Sequence, residues 1–175
     1  MLKLMIADDE RVIRETISTI IDWKQYDIEL VGLCKNGLEA YDAILDESPD
    51  IVLTDIRMPG MDAMELLEKC AELDFPPHFI LLSGYGEFEY AKKAMKYGVR
   101  HYLLKPCNKN QILESIQDVA RTCLQETVKQ HLEQDSFRIA NNMVHNAMFG
   151  ILNDALYQNH SYEDIFRAYE PFLDF

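Results

Sequence analysis

The chain has 175 residues, slightly more than one ordinary domain, with 48% hydrophobic residues, 30 acidic and 17 basic side chains and a formal net charge of −13. The hydrophobic share supports a buried core and excludes a disordered acidic tail. The acid excess, present both in the first 120 residues and in the remainder, argues against a basic face that grips DNA.

The four cysteines, Cys34, Cys70, Cys107 and Cys123, form no CxxC pair. They fit reduced cytosolic thiols better than a disulfide framework or a zinc site. No apolar run reaches the length of a membrane span, and the apolar start Met1–Ala7 stops at Asp8-Asp9, too short for a signal peptide. A cytoplasmic protein without membrane partners is expected.

Along the chain, short apolar runs alternate with segments of helical period. The run Leu2–Ala7 is followed by a helix over about 10–21, and Ile28–Cys34 by one over about 37–47. Ile51–Thr54 precedes a helix over about 62–71, which Pro76-Pro77 is expected to end. His78–Leu82 precedes a helix over about 87–96, and His101–Leu104 one that opens near Asn108, where Asn108 and Gln111 have capping-box spacing. Near-continuous aliphatic runs are the mark of parallel strands covered on both faces. Five strand–helix repeats predict an α/β doubly wound sheet with right-handed crossovers.

Beyond Asn108, Ile112, Ile116, Val119 and Cys123 are placed facing the domain, and Leu124, Val128 and Leu132 continue at i, i+4 spacing. After a polar stretch, Ile139, Met143, Ala147 and Ile151 form a second helical face. A last helix is expected from Ser161, with Asp164 in capping spacing and Tyr162, Phe166 and Tyr169 as an aromatic stripe. Residues 1–124 read as one domain and 125–175 as a helical extension too small for a core of its own.

Polar residues interrupt the ends of four runs: Asp8-Asp9-Glu10, Asp55, Ser83-Gly84 and Lys105-Pro106. In an open parallel sheet, ligands bind beyond the carboxyl ends of the strands, where the winding reverses. The strand order 2-1-3-4-5 makes these four ends neighbours. Three clustered carboxylates then require either a raised pKa or a neutralising cation, and an all-oxygen site with room for water suits Mg²⁺, or Mn²⁺ in its place. With a lysine and a hydroxyl beside them, such carboxylates suit phosphoryl transfer: Asp55 attacks in line, Lys105 and the metal carry equatorial charge, and Ser83 bonds a phosphoryl oxygen.

The runs Ala7-Asp8-Asp9-Glu10, Thr54–Asp62, Leu82–Tyr85 and Tyr102–Pro106 resemble, in order, the motifs of the two-component response-regulator receiver domain. Asp22-Trp23-Lys24 and Glu89–Ala94 narrow the likeness to the YesN type, with its AraC-like helix-turn-helix output. The resemblance implies a flavodoxin-like fold with Asp55 as phosphoacceptor. It implies a Mg²⁺ site on Asp9, Asp55 and the Arg57 backbone carbonyl, with Asp8 acting through water. Lys105 and Ser83 would bind the phosphoryl group, Ser83 and Tyr102 form the switch pair, and Lys105-Pro106 is a cis peptide. Ala63 departs from the family's usual glycine.

Function follows as expectation: a sensor histidine kinase phosphorylates Asp55, and a homodimer controls transcription through a DNA-binding domain that this chain does not carry, so that the chain reads as a piece of a longer protein. The competing readings are a Mg²⁺-dependent phosphohydrolase and a stand-alone receiver serving as a phosphate sink. The first lacks the Asp-x-Asp spacing usual after strand one. Two details stay open. Lys92, Lys93, Lys96 and Arg100 are either a solvated face or a dimer contact to Glu114 and Asp118. Arg57 and Tyr85 flank the expected path of the hydrolytic water, which would slow loss of phosphate.

Overall fold

The structure is a computed structural model that describes residues 1–84, 88–99 and 101–157. Strands β1 (Leu2–Ala7), β2 (Ile28–Cys34), β3 (Ile51–Asp55), β4 (His78–Ser83) and β5 (His101–Leu104) alternate with helices α1 (Arg11–Ile20), α2 (Gly37–Glu47), α3 (Ala63–Cys70), α4 (Phe88–Ala94) and α5 (Lys109–Tyr157). All strand pairs are parallel, in the order β2-β1-β3-β4-β5, as the alternation of runs and helices predicts. Short 3₁₀ turns at Trp23–Tyr26 and Met95–Tyr97 were not anticipated from the sequence.

Alternation along each strand divides the core between the two sheet faces. Met5, Ala7, Val52, Phe79 and Leu81 pack with residues of α2 and α3. Leu4, Ile6, Ile51, Leu53, Ile80 and Leu82 pack with Ile17 of α1 and with Ile112, Ile116, Val119 and Cys123 of α5. Both faces being covered, β3 is buried at every position, which is why it reads as an unbroken apolar run.

Helix starts follow local chemistry. Asn36 accepts from the Glu39 N–H, and Asp62 and Glu65 close a capping box on α3. Asn108 and Gln111 form the predicted box, the Gln111 N–H reaching the Asn108 carboxamide at 3.0 Å and the Asn108 N–H the Gln111 carboxamide at 2.9 Å. Helix α3 ends at Cys70, well before Pro76-Pro77: the Ala71, Glu72 and Leu73 amides turn back onto Leu67, Lys69 and Cys70 carbonyls. The tight turn, not the prolines, stops the helix. At Ala63, where glycine was expected, the N–H donates to the Ile56 carbonyl and the methyl is fully buried, so the turn takes alanine.

The chain divides into two compact units, Met1–Leu124 and a second from Gln125 onward. Helix α5 is continuous through Tyr157, with no break at the polar stretch. Leu124, Val128, Leu132 and Ile139 are exposed on it. Ser161 and the Tyr162/Phe166/Tyr169 stripe lie outside the described residues. Among those described, no helix is long and apolar enough to cross a membrane.

Candidate functional site at the strand carboxyl ends

Pairing registers set the strand ends side by side. Ala7 lies opposite Thr54, Asp55 opposite Leu82, and Ser83 opposite Leu104. Each next residue therefore enters the same crevice: Asp8-Asp9 after β1, Asp55 at the end of β3, Ser83 at the end of β4, and Lys105 after β5. The sequence-predicted residues Asp8, Asp9, Asp55, Ser83, Tyr102 and Lys105 come together there. Tyr85 lies outside the described residues.

Carboxylate oxygens of Asp8, Asp9 and Asp55 lie within 4.8 Å of one another, the one group of this kind among the described residues. Asp8 is fully buried and Asp55 nearly so, while Asp9 is exposed. Both Asp8 oxygens are engaged: Oδ1 accepts from the Glu10 N–H at 2.9 Å and Oδ2 from the Lys105 ammonium at 2.9 Å. On Asp55, Oδ1 accepts from the Ile56 N–H at 2.9 Å and Oδ2 lies 3.1 Å from Lys105 Nζ. One lysine thus bridges two carboxylates. An all-oxygen, three-carboxylate donor set beside solvent fits a hard divalent cation such as Mg²⁺.

The electrostatics follow from burial. Loss of hydration pushes the Asp55 carboxyl above its ordinary value, the Asp8 charge adding to it and Lys105 and the Ile56 amide opposing it. Burial pulls the Lys105 ammonium down, but its bonds to Asp8 and Asp55 outweigh that and leave it raised. Lys105 therefore stays charged at neutral pH and holds the acids together.

On the β4–β5 side, the Tyr102 phenol donates to the Ser83 hydroxyl, which donates to the Gly84 carbonyl at 2.9 Å. The Lys105 N–H donates to the Ser83 carbonyl at 2.7 Å, and the Lys105-Pro106 peptide is cis, as expected. Among the described residues no buried side-chain polar atom lacks a partner. Of the two acids named above as dimer partners for Lys92, Lys93, Lys96 and Arg100, Asp118 is paired with Arg121 on its own helix at 3.2 Å; Arg100 lies outside the described residues.

Two participants were not singled out from the sequence. Arg14, one turn into α1, donates to the Asp8 carbonyl; helical period from the Asp8-Asp9 end was the available signal. Tyr90 of α4 lies under the Arg57 guanidinium, a contact with no signature in sequence spacing.

Among curated relatives, the chain is 51% identical over 119 residues to the uncharacterized transcriptional regulatory protein YesN of Bacillus subtilis, covering 68% of this chain and 32% of that protein. It is 40% identical over 126 residues to the transcriptional regulatory protein HptR of Staphylococcus aureus, covering 72% of this chain and 49% of that one. The chain thus spans from about a third to about a half of these relatives' length. Among solved structures, the receiver domain of AraT, a response regulator from Geobacillus stearothermophilus, superposes with a TM-score of 0.67 at 37% identity, covering 72% of this chain and 98% of that one. A two-component transcriptional regulator AraC from Clostridium phytofermentans gives 0.68 at 31%, covering 73% and 98%. Residues 4–117, more than half of the chain, match the response regulator receiver domain, and the chain belongs to that family, the phosphoacceptor switches of two-component systems.

Proposed function

We propose that this chain receives a phosphoryl group on Asp55 from the phosphohistidine of a sensor kinase and passes the change to a transcriptional output. The carrying observation is the Lys105 ammonium set between Asp8 and Asp55 at 2.9 and 3.1 Å, with Asp9 open to solvent beside them. An Asp55 carboxylate oxygen attacks phosphorus, the phosphorus–nitrogen bond to the kinase histidine breaks, and the imidazole leaves with the electron pair. Lys105 moves to the phosphoryl oxygens, where its charge is most needed. Asp9, Asp55 and the Arg57 carbonyl would hold Mg²⁺, or Mn²⁺, with Asp8 reached through water. When bound, the metal neutralises the acids and the developing phosphoryl charge.

Ser83 and Tyr102 form the switch. Their mutual hydrogen bond ties the hydroxyl that would meet the phosphoryl group to a ring on β5, so that one cannot move without the other. Autodephosphorylation closes the cycle. Likeness to YesN, HptR and AraC-named regulators supports a cytoplasmic transcription factor with an AraC-type DNA-binding domain outside this chain. The division at Leu124 supports a receiver over 1–124 and a coupling extension over 125–175. The exposed apolar residues Leu124, Val128, Leu132 and Ile139 on α5 support homodimerisation.

The test is acetyl phosphate with Mg²⁺, read by intact mass. One phosphoryl group per chain is expected, abolished by Asp55→Asn and by chelation. Uptake that persists in Asp55→Asn refutes the assignment, and steady turnover of a phosphate monoester favours a phosphohydrolase.

A further inference from the structure

Asp8 is held at each of its polar groups. Its N–H donates to the Cys34 carbonyl at 3.1 Å. Its Oδ1 accepts from the Glu10 N–H and its Oδ2 from the Lys105 ammonium, both at 2.9 Å. Its carbonyl accepts from the Arg14 guanidinium, one turn into α1. The next residue, Asp9, is exposed, yet a carboxylate oxygen of it lies within 4.8 Å of those of Asp8 and Asp55. An exposed acid keeps such a place only if the backbone it stands on is fixed.

The bond from Arg14 supplies that fixity. The Asp8 carbonyl belongs to the peptide unit that leads to Asp9, and that unit is planar. Fixing the direction of the carbonyl therefore fixes the plane from which the Asp9 Cα departs. The other three bonds hold the preceding peptide or the Asp8 side chain; among the four, Arg14's is the one that grips this plane. Arg14 is half-buried, and its own N–H donates to the Glu10 carbonyl at 3.1 Å, so the stem is rooted in the helix. Burial and Glu39 push up the Cys34 thiol at the end of β2, and Arg14 opposes them, which sets the guanidinium beside the ends of both β1 and β2.

Arg14 acts on a bound cation in two opposite ways. Its positive charge repels a divalent ion at the three carboxylates. Its hydrogen bond orients a carboxylate that would hold the ion, and groups that orient metal ligands are worth about tenfold to a hundredfold in affinity. Solvent and salt at the open Asp9 side screen the repulsion, whereas they leave the orientation intact. We propose that Arg14 is a positioning residue of the cation site, acting through the Asp8 carbonyl to set Asp9. The proposal rests on the reading of Asp8, Asp9 and Asp55 as a site for a divalent cation.

The test is Mn²⁺ uptake by the whole chain, followed by loss of the free-ion electron paramagnetic resonance signal. Arg14→Met keeps the stem and removes charge and donor together. It is expected to bind about tenfold more weakly, against the direction that loss of a positive charge alone predicts. Arg14→Gln, neutral and too short to keep the bond, should act alike, which guards against poor folding of the methionine variant. Arg14→Lys keeps the charge and a donor and should retain most of the affinity. Arg11→Met removes the same charge from an exposed neighbour paired with Glu15 at 2.7 Å, and should bind no more weakly than the parent. Adding Arg14→Met to Asp9→Ala should weaken binding no further than Asp9→Ala alone. Equal or tighter binding by both neutral Arg14 variants overturns the proposal, as does an undiminished loss in the Asp9→Ala background. A parent that takes up no Mn²⁺, or Asp9→Ala binding as the parent does, overturns the cation reading and this proposal with it.

Discussion

The Tyr102 phenol donates a hydrogen bond to the Ser83 hydroxyl, joining side chains from the adjacent strands β5 and β4. Ser83 spends its own proton on the Gly84 carbonyl. The hydroxyl is therefore held from both sides, and its reorientation toward a group on Asp55 costs the Tyr102 bond.

Tyr102→Phe removes that bond and keeps the ring. A neutral hydrogen bond contributes about 0.5–1.5 kcal/mol net, so the variant should take phosphate from acetyl phosphate to an occupancy whose equilibrium constant is about threefold to tenfold higher. The expected companion result is weaker coupling: the phosphorylation-dependent change in association, measured by size-exclusion chromatography, should shrink. An unchanged occupancy would mean that the bond is not broken on activation.

Gly37 opens α2 against the β3–α3 connection. A Cβ placed there would lie 2.2 Å from the Met61 carbonyl oxygen, an atom of the backbone with nowhere to go. Gly37→Ala should therefore destabilise the chain by about 1–3 kcal/mol, the usual cost of overpacking a filled site, read as a lower urea midpoint at unchanged slope. Because Met61 follows directly on the Arg57–Gly60 stretch, Mg²⁺ affinity should fall as well.

The strands and the convergence of their ends were legible because each apolar run is short, nearly continuous and closed by one polar residue. Asp8, Asp55, Ser83 and Lys105 each break a run at the same end, and strand order alone brings them together. The end of α3 near residue 71 was legible but its cause was not, since proline signals sit at Pro76-Pro77 while the turn is made by backbone bonds after Cys70. Nor was Tyr90, because a ring under a guanidinium from another element leaves no period in the chain. The length of α5 was legible only in part: the helical period carries past Cys123 to Leu132, a polar stretch then dilutes it, and Ile139, seven residues on, resumes it within one unbroken helix.

Cys34 and Cys70 are both buried, and burial pushes each thiol up to about 11. At pH 8 about one molecule in a thousand then carries the reactive thiolate at either position. Iodoacetamide should leave both unmodified in the folded chain and alkylate them in urea, as peptide mass mapping would report. Rapid labelling of either under native conditions would mean that the core beneath α2 and α3 opens locally.

Asp55 should weigh against stability for the sake of its chemistry. Its carboxyl is raised in the folded chain because burial strips its hydration, and Lys105 compensates only in part. A folded-state acid with a raised pKa binds its proton more tightly than the unfolded chain does, so stability falls as pH rises through the ordinary aspartate range, and the loss is complete above the raised value. At neutral pH the folded chain carries the whole penalty. Asp55→Asn removes the buried charge and leaves Lys105 bonded to Asp8, so it should melt higher than the parent in chelator at pH 7, by about 2–4 °C if the penalty is about 1 kcal/mol. The gap should narrow as pH is lowered through the raised Asp55 value, where the parent becomes neutral at that position too. Mg²⁺ should invert the order by binding the parent's three carboxylates, raising its melting temperature while leaving the variant nearly unmoved. A parent that melts above Asp55→Asn in chelator at pH 7 would mean that the Lys105 bridge outweighs the burial cost, and that the site is held together by its ion pair and not poised for a cation.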